Sequence, residues 1–151
     1  MEIRELFYDD LEEASEVLWK SFYAAEKKNT SMSGMEFFRD LISPVSLSMN
    51  TFDGSIVLYG AFCEGKMVSV GALKEKNTIL MLYVRPEFWH QGIGGEMLTF
   101  LEEQCSPGKI CLNASDCAVD FYVKRGYQVI SPRKIENELI FTPMTKEKGA
   151  E

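Results

Sequence analysis

The chain has 151 residues, 46% hydrophobic and 26% charged, which supplies one compact core and leaves little room for a second. Its formal charge of -7 argues against sequence-independent binding to nucleic acid, which needs a basic footprint. No run reaches the ~18 apolar residues of a membrane helix, and Met1–Leu6 lacks the charged-then-apolar layout of a signal peptide.

The charge is uneven. Residues 1–75 carry 7 Lys/Arg against 13 Asp/Glu, and residues 76–151 carry 9 against 10. Solvated acidic helix faces account for this, as would an acidic half that attracts cationic substrates. Cys63, Cys105, Cys111 and Cys117 contain no C-x-x-C pair and are joined by one histidine, which argues against a metal site. Each lies in or near an apolar pattern, so buried free thiols in a reducing cytoplasm are expected.

Met1–Leu6 alternates as a short strand. Asp10 with Glu13 resembles a capping box, and Leu11, Ala14, Leu18, Phe22 and Ala25 then recur at helical spacing, predicting a helix over 10–27. After a polar break at 29–34, Met35–Ile42 reads as a second helix, which Pro44 ends. Residues 46–54 read as a loop.

Ile56–Cys63 and Met67–Leu73 read as a hairpin joined through Glu64-Gly65-Lys66. A turn at 75–77 leads into Thr78–Val84, whose near-continuous apolar run predicts a central strand buried on both faces. Pro86 stops it. Gly92–Gln104 reads as a helix with Ile93, Met97, Leu98, Leu101 and Cys105 on its inner face. Lys109–Leu112 is a short strand, Ser115 opens a helix to about Arg125, and Gly126 ends it. Tyr127–Ile130 and Leu139–Phe141 are the last strands. The order β-α-α-β-β-β-α-β-α-β-β describes an α/β domain over residues 1–145, a mixed central sheet with flanking helices, followed by a frayed tail at 146–151.

The strand-to-helix junction at 82–98 carries the chemistry. Free amides at a helix start form an anion site, and Gly92, Gly94 and Gly95 clear the side chains that would keep phosphate oxygens away. The same glycines would also permit close packing of helix on sheet. No Gly-Lys-Ser/Thr is present, which excludes a nucleoside-triphosphate loop. The third glycine of a dinucleotide fingerprint is missing, and the segment does not open the fold.

Val84-x-Pro86-Glu87-Phe88 followed by Gln91-Gly92-Ile93-Gly94 resembles the acetyl-CoA signature of the GNAT superfamily. Trp89 stands where that family usually has Arg or Gln, and His90 where it has its first Gly. The resemblance implies acetyl-CoA as co-substrate, with the loop of His90, Gln91, Gly92, Ile93, Gly94 and Gly95 against the pyrophosphate. It also implies a splayed strand on which Leu82, Tyr83 and Val84 hold the pantetheine arm.

Asn113-Ala114-Ser115-x-x-Ala118-x-x-Phe121-Tyr122-x-x-x-Gly126-Tyr127 is similar to the family's next pattern, and Asn113 and Ser115 join the cofactor-binding set. An amine attacking a thioester forms an oxyanion that needs amide donors, and collapse expels a thiolate that needs a proton. In the family a Tyr at the place of Tyr122 often supplies it; packing beside Phe121 is its other role. The base is not legible. His90 belongs to the phosphate loop, Glu75 is a turn carboxylate, and water would also serve.

The resemblance thus implies a GNAT-like fold and an N-acetyltransferase, an acyltransferase that moves acetyl from acetyl-CoA directly to an amine. The acceptor would be a small molecule or peptide, with a lean toward cations. Neither nucleic acid, membrane nor metal is expected, and a monomer or homodimer fits the family. The alternative is a non-catalytic acyl-CoA-binding or interaction module on the same fold.

Overall fold

A computed structural model describes residues 1–149. The elements run β1 (Glu2–Glu5), α1 (Leu11–Glu26), α2 (Met32–Leu41), α3 (Pro44–Thr51), β2 (Ile56–Cys63), β3 (Lys66–Lys74), β4 (Thr78–Val84), α4 (Ile93–Gln104), β5 (Gly108–Ala114), α5 (Val119–Val123), β6 (Gln128–Val129), β7 (Lys134–Glu136) and β8 (Leu139–Lys148). Every expected helix and strand is present, and α3 and β7 are added. The strands form one mixed sheet in the order β1-β2-β3-β4-β5-β8-β6, with β7 paired to β8. Only β4 and β5 are parallel; every other pair is antiparallel.

Two apolar clusters cover the two faces. Met97, Leu98 and Leu101 of α4 pack with Val68, Ile110 and Met144 on one side. Leu18 and Phe22 of α1, with Phe38 of α2 and Leu47 of α3, pack with Leu58 and Val70 on the other. Each large aliphatic side chain buried this way contributes roughly 1.5–3 kcal/mol.

The strand buried on both faces is β3, where residues 67–73 are all buried, and not β4. In β4 only Ile79 is buried and Leu80 is 43% exposed, because an opening in the sheet borders that strand. Pro44 begins a helix rather than ending one. It occupies the first turn of α3, where its missing N–H costs nothing, and the Ser43 side chain accepts the Ser46 N–H at 3.2 Å. The Asp10 carboxylate does not cap α1. It accepts the Phe7 N–H at 2.8 Å and pairs with Arg4 at 3.0 Å, while Glu13 reaches across to the Met67 N–H at 3.0 Å.

The expected tail meets the sheet instead: Lys146–Lys148 pair with Gly108–Ile110, and residues 150 and 151 lie outside the described region. Of the four cysteines, all free, only Cys105 is buried. Cys63 ends a strand near the sheet edge and is half-buried, as is Cys111, while Cys117 lies exposed on a loop. Among the described residues no helix is long and apolar enough to cross a membrane.

Candidate active site

The site begins where β4 and β5 part. Only Thr78 with Cys111 and Ile79 with Leu112 are in register across that pair, whereas β4 stays paired to β3 as far as Val84. Asn77 pins the short seam. Its carbonyl accepts the Cys111 N–H at 3.0 Å, its amide donates to the carbonyls of Ser106 at 2.8 Å and Lys109 at 3.2 Å, and its Oδ1 accepts the Ser106 N–H at 3.0 Å. Among the described residues no such pin holds the far end.

Backbone alternation decides which groups face the opening. The Tyr83 carbonyl accepts the Ser69 hydroxyl at 2.7 Å, and the Arg85 N–H donates to the Val68 carbonyl at 2.8 Å, so both point toward β3. The backbone groups of Leu82 and Val84 therefore face the gap. One of them is already engaged: the Trp89 indole N–H donates to the Val84 carbonyl at 2.7 Å. Tyr83 contributes its side chain to the cleft rather than its carbonyl.

A cleft of about 670 Å³ occupies the gap, lined by Leu82–Val84, Phe88–His90, Gly92–Gly95, Phe121, Tyr122 and Arg125. Gly92, at φ 83°, turns the chain into α4 in a conformation that side chains disfavour. The first intrahelical bond runs from the Glu96 N–H to the Gly92 carbonyl at 3.1 Å, so the amides of Ile93, Gly94 and Gly95 have no acceptor within the helix. The helix dipole adds positive potential at the same place. Among the loop residues, His90 and Gly92 to Gly95 line the cleft and exposed Gln91 does not.

A methyl group at Gly94 would stand 3.5 Å from the Phe121 ring, and one at Gly95 3.2 Å from the Arg125 guanidinium. The glycines thus serve close packing and open amides together. Arg125 is held by Phe121, its guanidinium 3.8 Å from the ring centroid and its Nη1 donating to the Phe121 carbonyl at 3.0 Å. It brings a cation to the start of α4, which has no basic residue of its own there.

The strand end is anchored from below. Arg85 is 3% exposed, donates from Nε to the Met67 carbonyl at 2.6 Å, and pairs with Glu16 at 3.0 Å and Glu13 at 3.7 Å on α1. That Arg85 bond, helped by Lys20, holds the Glu16 carboxyl below its ordinary range.

Tyr122 is 7% exposed on α5, edge-on to Phe121 at 5.1 Å and Tyr127 at 5.5 Å between ring centroids. Burial pushes its phenol well above the ordinary tyrosine value, with Arg125 pulling weakly the other way. Ser115 does not cap α5 through its side chain. Its carbonyl accepts the Ala118 N–H at 2.9 Å, and its hydroxyl lies 3.4 Å from the Cys117 Sγ.

A second cavity, about 360 Å³, lies on the α1–α3 side, lined by Phe22, Phe38, Leu47, Met81, Asn113 and Phe141 among others. Asn113 faces this cavity and not the larger cleft; Ser115 borders both. Tyr83 and Glu26 also border both, so the two spaces meet at these side chains. Glu75 borders neither, and sits in the β3–β4 turn at φ 51°.

Comparison with known proteins places this architecture. The family model described as an acetyltransferase (GNAT) domain matches residues 23–148. The chain belongs to the GNAT acetyltransferase family. It is 29% identical over 145 residues to a spermidine N(1)-acetyltransferase of Thermoplasma acidophilum, covering 85% of this chain and 89% of that one. A GCN5-related N-acetyltransferase structure from Rhodopseudomonas palustris superposes at TM-score 0.86 with 23% identity, over 97% of this chain and 95% of that one. The PaiA N-acetyltransferase of Thermoplasma acidophilum, solved in complex with coenzyme A, superposes at 0.78 with 23% identity, over 97% and 98%.

Within this GNAT domain, three ionisable residues that line the cleft were not among the expected site residues: Glu26, Cys117 and Arg125. Arg125 lies four residues after Phe121, in the turn just past α5, from which it reaches back over that ring. Glu26 and Cys117 carried no such signal, since 91 positions separate them and only the fold brings them together.

Proposed function

We propose that this GNAT domain is an N-acetyltransferase that moves an acetyl group from acetyl-CoA directly to a cationic primary amine. The observation that carries the reading is the meeting of two spaces. The cleft at the β4–β5 opening has unsatisfied amides at one end and Tyr122 in its wall, and it joins a separate, largely apolar cavity at Glu26 and Tyr83.

The larger cleft suits acetyl-CoA: the α4 amides and Arg125 would face the pyrophosphate, and the backbone of Leu82 and Val84 the pantetheine arm. The smaller cavity then receives the acceptor. Attack of the free amine on the thioester carbonyl gives a tetrahedral oxyanion, for which the open-side amides of β4 are the donors at hand. Collapse expels the CoA thiolate, Tyr122 gives it a proton, and the nitrogen returns one to the phenolate. Burial raises the Tyr122 phenol, so it stays protonated and able to donate at neutral pH. The spermidine acetyltransferase relative and the acidic first half of the chain both favour a cationic acceptor.

The test is calorimetric titration with acetyl-CoA and with NAD, followed by thiol release against an amine panel that includes spermidine. Saturable acetyl-CoA binding with amine-dependent thiol release supports the reading. Binding without thiol release points to a non-catalytic acyl-CoA module, and no binding at millimolar acetyl-CoA removes both.

A further inference from the structure

Glu26 is an unusual place for a carboxylate. It is the last residue of α1, 7% exposed, at the helix end where the dipole disfavours negative charge. Among the described residues no Lys or Arg pairs with it; its one side-chain partner is the Cys117 thiol, which donates at 3.2 Å. A buried carboxylate without a cation costs several kcal/mol of desolvation unless something else compensates it. Among the described residues Glu26 is the only buried carboxylate, and even the less deeply buried Asp10 and Glu102, with side chains 19% and 18% exposed, have basic partners in Arg4 and Lys146.

The surroundings say what the missing partner is. Glu26 borders both the acetyl-CoA cleft and the acceptor cavity. Facing it are Cys117 from the loop before α5 and Tyr83 from β4; Tyr122 from α5 lines the same cleft, Lys74 and Asp116 line the acceptor cavity, and Asp116 is turned to Arg133 at 3.5 Å. Phe22, Phe38 and Phe141 line that cavity, so its wall suits an aliphatic chain, and Glu26 offers a charge where the cavity meets the cleft.

We propose that the Glu26 carboxylate is the anionic seat for the acceptor's ammonium group and takes the proton that frees the amine to attack. The inference rests on the reading above. The step balances. R-NH₃⁺ passes one proton to Glu26, the free amine forms the N–C bond to give the tetrahedral oxyanion, its collapse breaks the C–S bond, and the second nitrogen proton replaces the one Tyr122 gave to the thiolate. Glu26 then releases its proton to water through the open acceptor cavity. Cys117 holds the carboxylate in place until the ammonium arrives.

The experiment compares wild type, Glu26→Gln and Glu26→Asp with spermidine as acceptor, reading thiol release and acetyl-CoA binding separately. Glu26→Gln is expected to lose about 100-fold or more in kcat/KM for spermidine while binding acetyl-CoA as wild type does. The loss should shrink from pH 7 to pH 9, where solution itself supplies free amine, and Glu26→Asp should recover part of it. A Gln variant as active as wild type overturns the proposal while leaving the acetyltransferase reading intact; a wild type that releases no thiol with spermidine overturns both. Should the Gln variant fail to bind acetyl-CoA, wild-type protein saturated with CoA decides the matter. There 1,4-diaminobutane is expected to bind and uncharged 1,4-butanediol is not, and equal binding of the two overturns the anionic seat.

Discussion

Replacing Tyr122 by Phe removes one oxygen and leaves the ring packed as it is against Phe121 and Tyr127. Among the described residues no hydrogen bond is lost, because none engages the Tyr122 hydroxyl. The change in folding stability should stay within about 0.5 kcal/mol, a shift of no more than about 2 °C in Tm for a chain of this size. Turnover is another matter. A positioned general acid is worth about 10²–10⁴-fold, or roughly 2.7–5.5 kcal/mol in the barrier. The assay is thiol release under saturating acetyl-CoA and amine, paired with thermal unfolding and acetyl-CoA titration of the same preparation. The expected result is a fall in kcat of at least about 100-fold with Tm and acetyl-CoA affinity unchanged. The raised phenol also means that wild-type kcat should not decline through pH 9–10 from loss of this proton. A Tyr122→Phe enzyme within twofold of wild-type kcat would show that the hydroxyl takes no part in the proton's path.

Three further outcomes follow from other contacts. Arg125→Ala should weaken acetyl-CoA binding about tenfold, with a reduced dependence on salt, since a charge beside the α4 amides is removed; unchanged calorimetric affinity would place Arg125 outside the phosphate site. Gly71→Ala should destabilise by about 1–3 kcal/mol in urea unfolding, because its methyl would lie 2.9 Å and 3.2 Å from the two methyls of fully buried Leu101. Asp10→Asn tests a linked charge. The Arg4 hydrogen bond depresses the folded Asp10 carboxyl, so its stabilisation is present above the unfolded value of about 3.9 and fades as pH falls through the folded one. The variant should melt lower than wild type at pH 7, and the gap should close in acid.

Much of the fold was legible because its signals are local. The periodicity of Leu11, Ala14, Leu18 and Phe22 marks α1, and positive φ at Glu64 and Gly65 matches the turn read between β2 and β3. What escaped depends on partners distant in sequence. β8 extends to Lys148 because β5 pairs with its residues 142–148, which the polar residues Lys146, Glu147 and Lys148 do not announce. α3 was concealed by reading Pro44 as a stop, although Ser43-Pro44 is equally a start. At the site, motif spacing singled out the glycine loop and Tyr122, which line the cleft, whereas Glu26 sits on α1 and meets Cys117 only after the sheet has formed.

The seam between β4 and β5 has a consequence for how this protein avoids its own kind. Unpaired strand backbone is a template for another chain, and a long apolar edge invites aggregation. Here the outer rims are β1, four residues bearing Glu2, Arg4 and Glu5, β6, of two residues, and β7, of three that include Lys134 and Glu136. The apolar strand with open backbone groups, those of Leu82 and the Val84 N–H, lies in the middle of the sheet, facing β5 and closed above and below by α1 and α4. Opening the sheet at its centre keeps hydrogen-bonding capacity for a ligand while denying it to a neighbouring molecule.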